Sequence, residues 1–204
     1  MALTDRERKR IPVDLVRDHS DPFYNECRAY GRLVDKSLNG KVAVRCHGYM
    51  AIPAEREEVL KRNFNVDNWN RPADEYAKAP HRRQPFRAII KDLITEDTSL
   101  TGKVVKKILK DLKRMRKVGV YPMDVQARNY RNGMLLDFSV ALTEPHYLSV
   151  IKASWRVRFY KRSDLVAWQT LVRDQGVVTW ERAVPSSDYC KKLRSHSSEE
   201  EFDN

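Results

Sequence analysis

The segment from Thr101 to Val118 restricts the possible folds of this chain more than any other. Val104, Val105, Ile108, Leu109, Leu112 and Met115 recur at helical spacing and form one apolar stripe. Lys103, Lys106, Lys107, Lys110, Lys113, Arg114 and Lys117 form the opposite stripe, broken only by Asp111, and Gly119 stands where a helix stop is expected. Such a helix must bury one face, so the rest of the chain must supply a cover. Directly after the stop comes Val120 to Ser139, VYPMDVQARNYRNGMLLDFS. Asn132-Gly133 predicts a type I′ hairpin. Asp137 then ends a short apolar strand, and Asp124 and Asn129 lie in the loop before the hairpin. Two carboxylates and an amide so placed could hold a divalent metal and receive a proton, the inventory phosphoryl transfer needs. The same residues also serve as turn formers, so their surroundings must decide.

Asp21-Pro22 predicts a helix start, with Phe23, Cys27, Tyr30, Leu33, Val34 and Leu38 as its apolar set and Asn39-Gly40 as its end. Lys41 to Cys46 and Tyr49 to Ile52 read as an antiparallel hairpin joined through His47-Gly48. Residues 54–85 read as a surface insertion, with a short charged helix at 54–63. Phe86 to Leu93 reads as a buried strand. Residues 141–146 read as a loop in which His146 fixes the turn, and 147–160 as extended pieces. Ser163-Asp164 reads as the cap of a helix that closes at Gly176. A short helix from Ser187 and an acidic, disordered tail at 195–204 complete the pattern. Residues 1–20 are expected to be a flexible lead-in, poorly fixed before Val13 to Val16. Residues 21–194 are expected to form a single domain. The fold class is α+β: a small antiparallel sheet against a helix, followed by a helical part.

The formal charge of +11 and a pI near 9.6 favour nucleic acid, phosphorylated ligands or acidic protein faces as partners. The stripe from Lys103 to Lys117 could dock such a surface or simply face solvent; no aromatic residues interleave with it to make a stacking platform. Cys27, Cys46 and Cys190 lie far apart, which argues against a disulfide framework or zinc site and for a reducing compartment. Cys27 is expected to fill core, and Trp155, Trp168 and Trp180 to anchor core or interfaces. No segment has the apolar length of a membrane span.

A long helix, a loop with Asp-x4-Asn and a hairpin leading to Asp-Phe together resemble the catalytic segment of protein kinases. The resemblance runs over about residues 21–145. Glu26, in DPFYNECRAYGRL, resembles the helix glutamate that pairs with the phosphate-binding lysine. KVAVRCHGYMAI and FRAIIKDLI resemble strands of the small lobe. DPFYNECRAYGRL, IIKDL and DVQARNY…DFSVALTEPH are more narrowly similar to a fungal kinetochore-subunit family with a kinase-like fold. The kinase resemblance implies Asp124 as the base, Arg128 as a phosphate contact, Asn129 and Asp137 on magnesium, and ATP as donor. The kinetochore resemblance implies protein partners, possible kinetochore subunits among them, and a nuclear or cytoplasmic location.

The chain departs from the kinase pattern at several positions. About twenty residues precede the helix that begins at Asp21, too few for a glycine-rich loop and its strands. None of the seven glycines forms G-x-G-x-x-G, and Lys9 is the one lysine ahead of Glu26. Met123 replaces the usual Arg, Gln126 a basic residue, and Ser139 the Gly of Asp-Phe-Gly. Losing a phosphate clamp costs on the order of a thousandfold in rate. Three functions therefore stand: a degenerate, non-catalytic kinase-like (pseudokinase) binding protein, an ATP- and magnesium-dependent phosphotransferase, and a nucleic-acid binder using 103–117.

Overall fold

The long basic helix is the floor of the core, and the elements around it are built to cover its apolar stripe. The computed structural model describes residues 11–65, 73–96, 99–152 and 154–184. Residues 1–10, the Ser187 helix and the acidic tail lie outside the described residues. Helix α1 (Val13–Ser20) leads into α2 (Pro22–Asp35). Asp21 caps α2 through a 2.9 Å bond from the Phe23 N–H, with Pro22 in the first turn. Helix α2 stops at Asp35, short of Leu38, because Ser37 turns left-handed at φ 54°. Ala29, Tyr30 and Leu33 face the core, whereas Val34 is largely exposed.

Strand β1 (Cys46–Ile52) pairs antiparallel with β2 (Phe86–Lys91), from Cys46 opposite Lys91 to Ile52 opposite Phe86. The expected hairpin between 41–46 and 49–52 is therefore wrong. His47 and Gly48 lie inside one strand, at an irregularity in its register. Ala43 instead bridges to Leu135 in parallel, and the Val44 N–H donates to the Leu135 carbonyl at 2.9 Å. Val42, Ala43 and Val44 are all buried. Three consecutive buried residues need cover on both faces, which a two-stranded hairpin cannot give.

The connection between β1 and β2 holds α3 (Glu57–Phe64) and α4 (Ala73–Ala77). Arg83 at its end donates to the buried Glu57 carboxylate at 2.9 Å. Helix α5 (Gly102–Lys117) is the basic helix, capped by Thr101 and closed by Gly119 at φ +77°. Its charged face is partly self-neutralised. Buried Asp111 accepts from Lys107 at 2.8 Å and Arg114 at 3.2 Å, and Lys106 meets Glu181 at 3.0 Å.

Strands β3 (Val120–Tyr121) and β6 (Leu142–Thr143) pair with each other. They enclose the hairpin of β4 (Tyr130–Arg131) and β5 (Met134–Leu135), whose turn residues Asn132 and Gly133 both have positive φ, as expected of type I′. Helix α6 (Leu148–Ile151) precedes α7 (Ser154–Asp174). Residues 147–160 are thus largely helical, contrary to the extended pieces expected, and Ser163-Asp164 lies within a helix. Asp164 is fully buried and accepts from Arg116 at 2.6 Å. That tertiary pairing makes it a core contact between α5 and α7, so it does not cap a helix. Trp168 is core and its indole N–H donates to the Val105 carbonyl at 2.9 Å, whereas Trp155 and Trp180 are exposed. Cys27 is half-buried and shares an apolar cleft with Cys46, so it does not fill core.

The sheets are antiparallel and small, and the fold class is α+β. Among the described residues no helix is long and apolar enough to cross a membrane. A Cβ built at Gly119 would stand 3.0 Å from the Glu144 side chain, at a φ that L residues rarely adopt. Gly119→Ala should therefore lower unfolding stability by roughly 1–3 kcal/mol, read from the midpoint of urea denaturation at unchanged slope.

Candidate functional site

The face that β2 turns toward α2 is built from alternate residues, as strand periodicity requires. Arg87, Ile89 and Lys91 share it. Arg87 reaches the Asp21 carboxylate at 2.7 Å and lies over the Phe23 and Tyr24 rings at 4.6 and 4.9 Å. Ile89 packs on the core. Lys91 ends the strand, and its ammonium pairs with Glu26 and donates to the Leu136 carbonyl at 2.7 Å. It also sits 5.5 Å from the centre of the Tyr30 ring. Glu26 accepts in addition from the Phe138 N–H at 3.4 Å. One ion pair thus joins a helix, a sheet and the Asp-Phe-Ser segment.

Asp124 follows β3, and its Oδ2 accepts from the Asn129 amide at 3.0 Å and from Arg128 at 3.3 Å. The Asn129 amide also donates to the Asp124 carbonyl at 2.9 Å, and this residue is buried. Arg128 is mostly exposed. Asp137 uses Oδ1 to accept from the Ser139 N–H at 2.7 Å, closing its own turn. The two halves are connected through the hairpin, where the Leu136 N–H donates to the Asn129 carbonyl at 2.9 Å. A continuous run of bonds therefore leads from Asp124 through Asn129, Leu136 and Lys91 to Glu26. Asn25 on α2 adds a bond to the Ser139 carbonyl at 2.9 Å.

Sequence reasoning placed Glu26, Asp124, Arg128, Asn129 and Asp137 in one region but missed Lys91. Its signal is a lysine on the same strand parity as Ile89, a residue that packs on the core. Magnesium is held by oxygen, typically one or two carboxylates plus water and phosphate. Asn129 and Asp137 have that chemistry, but Asn129 is turned toward Asp124 and Asp137 toward its own turn. Among the described residues no group of three or more His, Cys, Asp or Glu could hold a metal ion.

Beside Ser139 lies a cleft of about 310 Å³ that His146, Tyr147, Tyr160 and Met123 help to line. His146 fixes its turn as expected, its Nδ1 accepting from the Leu148 N–H at 3.2 Å. The His19 ring meets the His146 ring edge-on at 4.4 Å. Burial, then the charges on His19 and Arg28, push His146 down from 6.5 to about 4. Burial of Asp164 outweighs the pull of Arg116 and raises its carboxyl from 3.8 to about 6.

These two groups act on stability with opposite signs. The depressed histidine contributes fully above pH 6.5, and its contribution is lost as pH falls toward 4, since the unfolded chain takes the proton first. The raised aspartate contributes fully below pH 3.8, and its contribution is lost as pH rises through about 6. His146→Asn, which keeps an acceptor for Leu148, should flatten the acid-side loss between pH 6.5 and 4 by on the order of 2–3 kcal/mol in urea titrations. Lys91→Met should destabilise by roughly 1–3 kcal/mol, because the Glu26 carboxylate and the Leu136 carbonyl lose their donor. Adding Glu26→Met should restore part of that loss, and the coupling is read from the double-mutant cycle.

No curated protein and no solved structure matches the chain. A family model described as kinetochore Sim4 complex subunit FTA2 matches residues 2–142, a span holding Glu26, Lys91, Asp124, Asn129 and Asp137. With well over half of its length matched, the chain belongs to the kinetochore Sim4 complex subunit FTA2 family.

Proposed function

We propose that this chain is a non-catalytic, kinase-like (pseudokinase) binding subunit of a kinetochore assembly, acting in the nucleus through protein contacts. The family match over residues 2–142 carries the reading. The kinase-like part of the proposal is supported by element order: a helix with Glu26, a small antiparallel sheet, a long helix, a loop with Asp124 and Asn129, then a hairpin leading to Asp-Phe. The non-catalytic part is supported by how the polar groups are engaged. Asp124 accepts from Asn129 and Arg128, and Asp137 caps its own turn. The exposed lysines of α5, including Lys103, Lys110, Lys113 and Lys117, offer a further face to an acidic protein or nucleic acid.

One observation favours the phosphotransferase reading. Glu26 has a lysine after all, supplied by β2, and such a pair is what phosphate binding by a kinase-like site requires. In that reading Asp124 is the base, Arg128 contacts phosphate, and Asn129 and Asp137 hold magnesium beneath ATP.

A thermal melt with millimolar magnesium and ATP separates the two. Added ligand should leave the melting point unchanged, in Asp137→Ala as in the parent. Ligand at tenfold its Kd would add about 1.4 kcal/mol, or roughly 3–6 °C. A shift of that size, abolished by Asp137→Ala, would replace the non-catalytic reading with the enzymatic one. A fluorescently tagged chain carrying Asp124→Ala and Asp137→Ala should still concentrate at centromeres.

A further inference from the structure

Helix α7 carries apolar side chains on two faces, and the described residues cover one. Val157, Trp168 and Leu171 are buried, as is Asp164, and Tyr160 packs on the cluster of Tyr121, Leu142 and Leu148. On the other side Trp155 is 58% exposed, Phe159 68% and Val166 50%. With exposed Arg162 they fall at 155, 159, 162 and 166, successive steps of four, three and four. That spacing makes a straight seam about 16 Å long on a helix, the geometry of positions that meet a second helix. Exposed Arg156 and Arg158 flank it, and the Arg156 guanidinium lies 5.1 Å from the centre of the Trp155 ring. Two large aromatics and arginines on one open face are the residue types that dominate protein interfaces.

We infer that this seam docks an amphipathic helix of a partner protein, apolar on its inner face and acidic along its flanks, with a carboxylate opposite Arg162. A charged residue at a single seam position sets register as well as partner choice. Charge selects this occupant over a second copy of the chain, since each copy would present the same arginines on a molecule of net charge +11. Spacing selects it over single-stranded nucleic acid, because Val166 continues the apolar line where a stacking platform would place another ring. The seam is outside the family-matched residues 2–142, so it adds a second surface to the chain. It rests on the binding-subunit reading for the nature of its partner.

The test uses the full chain and two synthetic three-heptad helices with Leu at both seam positions, one flanked by Glu and one by Lys. In calorimetric titration the Glu-flanked helix should bind at least about tenfold more tightly than the Lys-flanked one. Trp155→Ala and Phe159→Ala should each weaken it by about fivefold or more, and Arg162→Glu should reverse the preference between the two helices. The circular dichroism and melting point of these variants should match the parent, since the residues are exposed. Equal binding of both helices, or indifference to Trp155 and Phe159, would overturn the inference. So would single-stranded DNA binding that depends on the same two residues, or self-association lost in Phe159→Ala. Tighter binding after removal of residues 195–204 would make the chain's own acidic tail the occupant instead. The magnesium–ATP melt reads another part of the molecule, so either reading can fail without the other.

Discussion

The Lys91 ammonium is the contact on which the arrangement of the first half depends. It is partly buried, with a carboxylate on one side and a backbone carbonyl on another. A cation taken from water needs both, because the desolvation cost is several kcal/mol and one weak partner does not offset it. The two partners come from different elements, so satisfying the charge requires α2, β2 and the segment after β5 to meet at one place. Hydrophobic burial alone would allow α2 to slide along the sheet. The ion pair, with Arg87 on Asp21 several residues away along the strand, fixes where it stops.

That contact also explains what could be read in advance. The α5 stripe, the Asp21 cap, Gly119 and the Asn132-Gly133 turn are written in neighbouring residues, and each is where local chemistry puts it. Glu26 and Lys91 lie 65 residues apart, and nothing local marks them as partners. The pairing of residues 41–52 was misread for a related reason. Alternation in Lys41 to Cys46 is real, but burial of Val42, Ala43 and Val44 alike depends on a hairpin ninety residues later. Aromatic and β-branched content between 147 and 160 favours strands in isolation. Packing of Val157 and Tyr160, continuing into Trp168, overrides it. Ser163-Asp164 has the composition of a cap, yet burial against Arg116 turns the aspartate into a bond between helices.

Of the candidate site, the residue types and their order were visible from sequence, and their state was not. Asp124, Asn129 and Asp137 are hydrogen-bonded within the protein, and that cannot be read from spacing. Asp124 Oδ2 has two donors within its own loop, the Asn129 amide and the Arg128 guanidinium. A carboxylate bound in this way ties its loop together, whichever role the residue has. The same bonds that would position a catalytic loop would also hold a surface in one shape, as the proposed binding role requires.

Helix α7 shows the reverse situation. Its buried side is fully explained by α5 and the β3–β6 corner, through Trp168 on Val105 and Asp164 on Arg116. These contacts anchor the helix to the core, so the proposed seam is presented on a helix already in place, which lowers the ordering cost of docking. Aromatic side chains have few rotatable bonds, which lowers the ordering cost further. A helix selected only for the core would carry polar residues outward, as α5 does with its lysines. Trp155 and Phe159 occupy positions where the described residues make no demand for them, and the proposed partner helix is what accounts for them.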